Sequence, residues 1–161
     1  PRGALLIARG ALPLEAYLPP DPAPLGELVE HLLAAAPNTR FLRAPTRGGV
    51  ATVLNELARE AEVAVVMQES ALPIRNIVKG AGEILGIDPL YVANEGKLVA
   101  SVTPELADAA LEAMRALPSG ADAAIVGEVR DEPPGRVLTR TAFGGHRLLD
   151  MLVGDPLPRI C

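Results

Sequence analysis

The stretch DAAIVGEVRDEPPGRVLTRTAFGGHRLLDMLV, residues 122–153, carries three apolar runs broken by turn-forming residues. Asp122 to Arg130, Gly135 to Ala142 and His146 to Val153 read as three consecutive strands. Asp131-Glu132-Pro133-Pro134-Gly135 and Phe143-Gly144-Gly145 read as the turns between them, so hairpins are expected to close the chain. Upstream, Thr103-Pro104 opens a helix whose face is Leu106, Ala110 and Met114. Tyr91-Val92-Ala93 and Leu98-Val99-Ala100-Ser101-Val102 flank the turn Asn94-Glu95-Gly96-Lys97 and predict a further hairpin. Ile74 to Leu85 reads as a helix stopped by Gly86, and Glu62 to Gln68 as a strand buried on both faces at its centre.

The first third repeats the alternation. Asp21-Pro22-Ala23-Pro24 is a helix start, followed by Leu25, Leu28, Val29, Leu32, Leu33 and Ala36 on one face and ended by Pro37. Phe41-Leu42 belongs to a short strand. In Ala44-Pro45-Thr46-Arg47-Gly48-Gly49, Thr46 is placed to cap a helix whose buried side is Val50, Val53, Leu54 and Leu57. Irregular mixing of helices and strands gives an α+β class: a mixed, mostly antiparallel sheet packed with about four helices. The chain opens without methionine on the strand-like run Ala4 to Ala8, which reads as an entry partway through a larger protein.

Periodicity stops after Val153. Residues 1–153 are therefore expected to form the folded body, and residues 154–161, with Gly154, Pro156 and Pro158, a flexible arm. Eight residues of arm reach at most ~26–29 Å at the extended-chain spacing.

Composition narrows the function. Aromatics are 2% with no Trp, and the net charge is −5, which argues against a nucleic-acid surface built on clustered cations and stacking rings. No apolar run approaches a membrane span. A single cysteine offers no disulfide framework and fits a reducing, cytoplasmic setting.

That cysteine, Cys161, is the last residue, where a thiol can be loaded in one place and processed in another; the competing reading is an incidental surface thiol. Thr46, Arg47, Gly48 and Gly49 join a strand to a helix start, where backbone N–H groups and close approach favour an anion such as phosphate, and Asn94 is expected to face the same substrate or phosphate. Glu95, between Asn94 and Gly96 with Lys97 close by, offers a carboxylate at a loop tip for proton transfer. A plain turn competes with each of these readings. His31 and His146 read as surface and structural residues, and no ligand pair has zinc spacing.

Taken in order, Ala44-Pro45-Thr46-Arg47-Gly48-Gly49-Val50-Ala51-Thr52-Val53-Leu54-Asn55-Glu56, Leu90-Tyr91-Val92-Ala93-Asn94-Glu95-Gly96-Lys97, Gly144-Gly145 and Pro158-Arg159-Ile160-Cys161 resemble the HypE family of hydrogenase maturation proteins. The family belongs to a larger group resembling aminoimidazole ribonucleotide synthetase. The resemblance implies the α+β C-terminal domain of that group plus its cysteine arm, without the N-terminal ATP-binding, dimer-forming domain. It implies that Cys161 is carbamoylated by the carbamoyltransferase HypF and dehydrated with ATP and Mg²⁺ to thiocyanate, with Glu95 as base. Cyanide then passes to iron on a HypC–HypD scaffold of nickel–iron hydrogenase assembly. It further implies that this chain alone is inactive, without bound cofactor, and monomeric, while the complete protein is a homodimer. Ala44 stands where the family has Asp, and Pro1-Arg2-Gly3 where it has Asp-His-Gly. The competing function is a non-catalytic module that presents the arm to partners.

Overall fold

The most apolar strand organises the sheet. The computed structural model describes residues 23–141 and 144–151, and in it β2 (Ala64–Gln68) buries Ala64, Val65, Val66 and Met67 in succession. A strand buried on both faces must pair its backbone on both edges, because orphaned buried amides are costly. β4 (Gly127–Arg130) takes one edge, antiparallel, with Val65 opposite Val129. β5 (Arg136–Arg140) takes the other, parallel, with Val65 opposite Val137. β6 (His146–Leu148) then pairs antiparallel with β5, giving the order β4-β2-β5-β6. A second sheet of two strands pairs β1 (Phe41–Arg43) with β3 (Val99–Ser101), antiparallel.

Four α-helices occupy the described residues: α1 (Gly26–Ala35), α2 (Gly49–Glu60), α3 (Asn76–Leu85) and α4 (Ala107–Arg115). α2 lays Ala51, Leu54 and Ala58 against Val65, Met67, Val137, Leu149 and Leu90 in the main core. Leu32 of α1 and Ala36, just past its end, form a second cluster with Ala110 of α4, bordered by Leu98, Ala100, Leu106 and Met114. The class is α+β, and the sheet is mixed and mostly antiparallel, as the sequence predicts.

Three expectations are corrected. The segment 131–135 is not a hairpin turn, because β2 lies between the strands it joins. It rounds the start of β2, where the Gly135 N–H donates to the Val63 carbonyl at 2.9 Å. The expected hairpin of Tyr91–Ala93 with Leu98–Val102 is also absent. Pro89–Tyr91 forms a 3₁₀ turn instead, capped by Asp88, whose Oδ1 accepts from the Leu90 N–H at 2.9 Å. The Tyr91 and Val92 N–H groups go to Asp88 and Pro89, and that of Asn94 to Pro45, so no run of donors is left for a strand. Val99–Ser101 pairs with Phe41–Arg43 instead. Thirdly, Thr46 caps nothing: Gly48 in the left-handed region occupies the N-cap of α2, without a side-chain bond.

Smaller differences are matters of extent. α1 begins at Gly26, and Leu33 on its expected buried face is exposed. Three strands are shorter than their apolar runs, and 122–126 lies outside β4. The Ala4–Ala8 run, the Asp21 cap and the 154–161 arm with Cys161 lie outside the described residues.

Among the described residues one buried side-chain atom is unsatisfied. Thr139 on β5 is fully buried, and its Oγ1 has no hydrogen-bond partner. A stranded buried hydroxyl costs roughly 1–3 kcal/mol. Thr139→Val keeps the shape and removes the hydroxyl, so it should raise stability by about 1–2 kcal/mol. Urea unfolding checks this as a higher midpoint at unchanged slope.

Candidate functional site

The two segments singled out in the sequence meet. Gly49 opens α2 with φ at +65°, and a Cβ there would lie 2.4 Å from the Leu90 carbonyl oxygen and 2.7 Å from that of Val92. Only a residue without a side chain permits this approach. Four residues earlier the buried Pro45 accepts the Asn94 N–H at 2.9 Å. Residues 45–49 and 90–94 are thus one packed unit, with Thr46, Arg47 and Glu95 exposed on it.

Each glycine of the pair has a separate cause. Gly48, with φ at +70°, sits over Thr52, where a Cβ would lie 2.0 Å from Oγ1. Behind the loop, Arg43 at the end of β1 forms an ion pair with Glu56 of α2, joining the strand and helix on either side. Asn94 turns its amide inward, donating from Nδ2 to the Val92 carbonyl at 2.8 Å, while Lys97 Nζ donates to Asn94 Oδ1 at 3.5 Å. Asn94 therefore shapes the loop and leaves Glu95, followed by Gly96 at φ +67°, at its tip.

A polar frame missed by sequence reasoning fastens the 88–91 turn to the end of the sheet. Arg147 Nη2 donates to Asp88 Oδ2 at 3.1 Å, and the Tyr91 hydroxyl donates to the Asp150 carbonyl at 3.0 Å. Arg59 Nη1 donates to Met151 Sδ at 3.1 Å, and buried Asn55 Nδ2 to the carbonyls of Leu149 and Ala51, both at 2.9 Å. Asp88-Pro89, an acceptor before a proline, was the one local signal that could have shown the turn. Burial raises the Tyr91 phenol above its ordinary pKa; Asp88 and Asp150 push the same way, and Arg147 opposes them.

His31 and His146 are exposed. Among the described residues no group of three or more His, Cys, Asp or Glu is placed to hold a metal, and no helix is long and apolar enough to cross a membrane. The loop pair carries an exposed guanidinium, Arg47, and an exposed carboxylate, Glu95, groups of the kinds that bind an anion and transfer a proton.

Residues 6–139 match the model of the AIR synthase related protein, C-terminal domain. The chain belongs to that family. Within the AIR synthase-related family it is 54% identical over 157 residues to the carbamoyl dehydratase HypE of Rhodobacter capsulatus, covering 98% of this chain and 46% of that protein. A solved structure of HypE in complex with ATP superposes with a TM-score of 0.87 at 41% identity, covering 94% of this chain and 47% of that one. A HypE–HypF complex does so with a TM-score of 0.86 at 40% identity, covering 92% and 48%. The chain spans about half the length of the curated relatives it matches.

Two tests address this packing. Gly49→Ala meets both a left-handed backbone and the Leu90 carbonyl, and should cost about 3 kcal/mol or more. Gly86→Ala, at φ +66° with nothing within 4 Å, should cost only about 1 kcal/mol. Denaturant melts of the two variants should separate accordingly. The Tyr91 test is one of pH. A phenol whose folded pKa is raised contributes stability that is complete below the unfolded value of about 10 and lost as pH rises through the folded value. Melting temperatures from pH 8 to 11 should therefore fall less in Tyr91→Phe than in the parent.

Proposed function

We propose that this chain is the thiol-bearing half of an ATP-dependent carbamoyl dehydratase of hydrogenase maturation, with Cys161 as carrier and Glu95 as general base. The observation that carries the reading is the junction of the Thr46–Gly49 loop with the Asn94–Glu95 loop, in a chain 54% identical to a carbamoyl dehydratase. The Cys161 thiol receives a carbamoyl group, giving S–C(=O)NH₂, which must then lose the elements of water to leave S–C≡N. ATP, when bound, supplies the phosphoryl group that makes the amide oxygen a leaving group. Arg47 faces the resulting negative charge, and Glu95 accepts the N–H proton at the loop tip.

The described residues fit only part of a nucleotide site. Arg47 and the start of α2 suit a phosphate, but Gly49 is engaged against the 90–92 backbone, and among the described residues no group of three or more His, Cys, Asp or Glu is placed to hold a metal. The rest of the site, with the homodimer contacts, is assigned to the half of the relatives that this chain does not match. By itself the chain is monomeric and inactive in this reading, and cytoplasmic. A solved HypE–HypF complex supports HypF as a partner, and in this reading HypF supplies the carbamoyl group. Delivery of cyanide to a HypC–HypD scaffold completes the proposal.

The test separates the two steps. In a fusion where this chain replaces the matching part of the Rhodobacter capsulatus relative, Cys161→Ala should abolish carbamoylation with folding unchanged. Glu95→Gln should still be carbamoylated but form thiocyanate ~10²–10⁴-fold more slowly, the range of acid–base assistance. Intact mass in single-turnover reactions reads both. Thiocyanate at the parent rate from Glu95→Gln would make Glu95 a turn residue, and label persisting without Cys161 would remove the carrier.

A further inference from the structure

Leu149 is secured by the sheet and the core. It is buried, its N–H donates to the Val137 carbonyl at 2.9 Å, and its own carbonyl accepts from Asn55 Nδ2. The next two residues belong to no strand, yet each is gripped by a side chain from elsewhere. The Asp150 carbonyl accepts from the Tyr91 hydroxyl at 3.0 Å, and its Oδ1 from Arg59 Nη2 at 3.5 Å. The other nitrogen of the same guanidinium, Nη1, donates to Met151 Sδ at 3.1 Å. Arg59 stands in the last turn of α2 and Tyr91 in the 88–91 turn, so two separate elements hold this short stretch.

Such ties add little to stability. The Arg59 and Asp150 side chains are 53% and 62% exposed, and an exposed ion pair is worth at most ~1 kcal/mol. A thioether is a weak acceptor. What the ties do fix is the direction in which the backbone leaves the sheet. Tyr91 stands four positions before Glu95, no more than ~13–14 Å along an extended chain. Arg147, a few residues before Asp150, braces the same turn through Asp88 Oδ2 at 3.1 Å. The root of the arm and the Glu95 loop therefore share one support. A flexible chain of ten residues has an r.m.s. length of ~16–19 Å, comparable with that separation. Intramolecular encounter is most frequent when the length of the linker matches the span.

We propose that Tyr91 and Arg59 are positioning residues for the thiol: by pinning Asp150 and Met151 they aim the cysteine arm at the Asn94–Glu95 loop and set how often Cys161 meets it. The chemistry at the meeting point rests on the dehydratase reading, but the aim of the arm does not.

Thiol–disulfide exchange measures that aim in this chain alone. With Glu95→Cys, equilibration in reduced and oxidised glutathione gives the effective concentration of Cys161 at position 95 as the ratio of the internal to the external disulfide. Ser119→Cys, on the 118–120 turn, gives the same quantity away from the loops. The parent should favour position 95 over position 119. Tyr91→Phe combined with Arg59→Gln removes the three bonds, and should lower the value at position 95 by roughly threefold or more without lowering it at position 119. An unchanged value at position 95 would overturn the proposal, as would an equal fall at both positions. In the fusion with the Rhodobacter capsulatus relative, the double variant should be carbamoylated at the parent rate and form thiocyanate more slowly by the same factor. Carbamoylation slowed to the same degree would make the ties merely structural and overturn it too. A shift in effective concentration in this chain, with no thiocyanate from the unmutated fusion, would count against the dehydratase reading and leave the aim of the arm standing.

Discussion

The contact of Gly49 with the Leu90 and Val92 carbonyls is the constraint on which the arrangement depends. An α-helix start and a 3₁₀ turn 40 residues apart in sequence approach until no side chain fits between them. That approach fixes where α2 begins, and α2 carries Ala51, Leu54 and Ala58 into the main core. It also fixes the 90–94 backbone, which places Asn94 within hydrogen-bond reach of Pro45. Removing the glycine would separate two loops and shift the helix that packs on the sheet.

The surrounding interactions divide between packing and alignment. The core is built from Ala, Val, Leu and Met around β2, with one buried amide, Asn55, that binds carbonyls of α2 and of the segment after β6. The ion pairs are exposed or half-exposed, so they add little stability individually. Their placement matters more. Arg147–Asp88, Tyr91–Asp150 and Arg59–Met151 all tie the 88–91 turn or α2 to residues 147–151, from which the chain proceeds toward Cys161.

Much of this was legible in the sequence, and the failures have physical causes. The body of α2, β2, α3 and its Gly86 stop, and the Leu106–Ala110–Met114 face follow from local periodicity, which the tertiary structure leaves intact, whereas the start of α2 does not, since Gly48 and not Thr46 is its N-cap. Parallel pairing of β2 with β5 across the insertion of β2 between β4 and β5 did not, because strand order is a long-range property and residues 131–135 look like any tight turn. The Tyr91–Ala93 run has strand composition, yet Asp88-Pro89 claims its amides locally. Of the site, Thr46–Gly49 and Asn94–Glu95 were visible as residue types, but their meeting was not. The Asp88, Arg147 and Tyr91 frame joins positions 59 residues apart, beyond any window of sequence pattern.

The central claim is that the thiol at the end of the chain works at the junction of these two loops. Because the chain has one cysteine, a nitroxide attached to Cys161 reports its reach without further mutation. Cys161 lies ten residue steps beyond Met151, a span of up to ~33–36 Å when extended. Paramagnetic broadening of backbone amides should concentrate at residues 46–49 and 94–96 and spare the 118–120 turn packed on α4. Broadening that spares both loops, or falls evenly over the domain, would contradict the account.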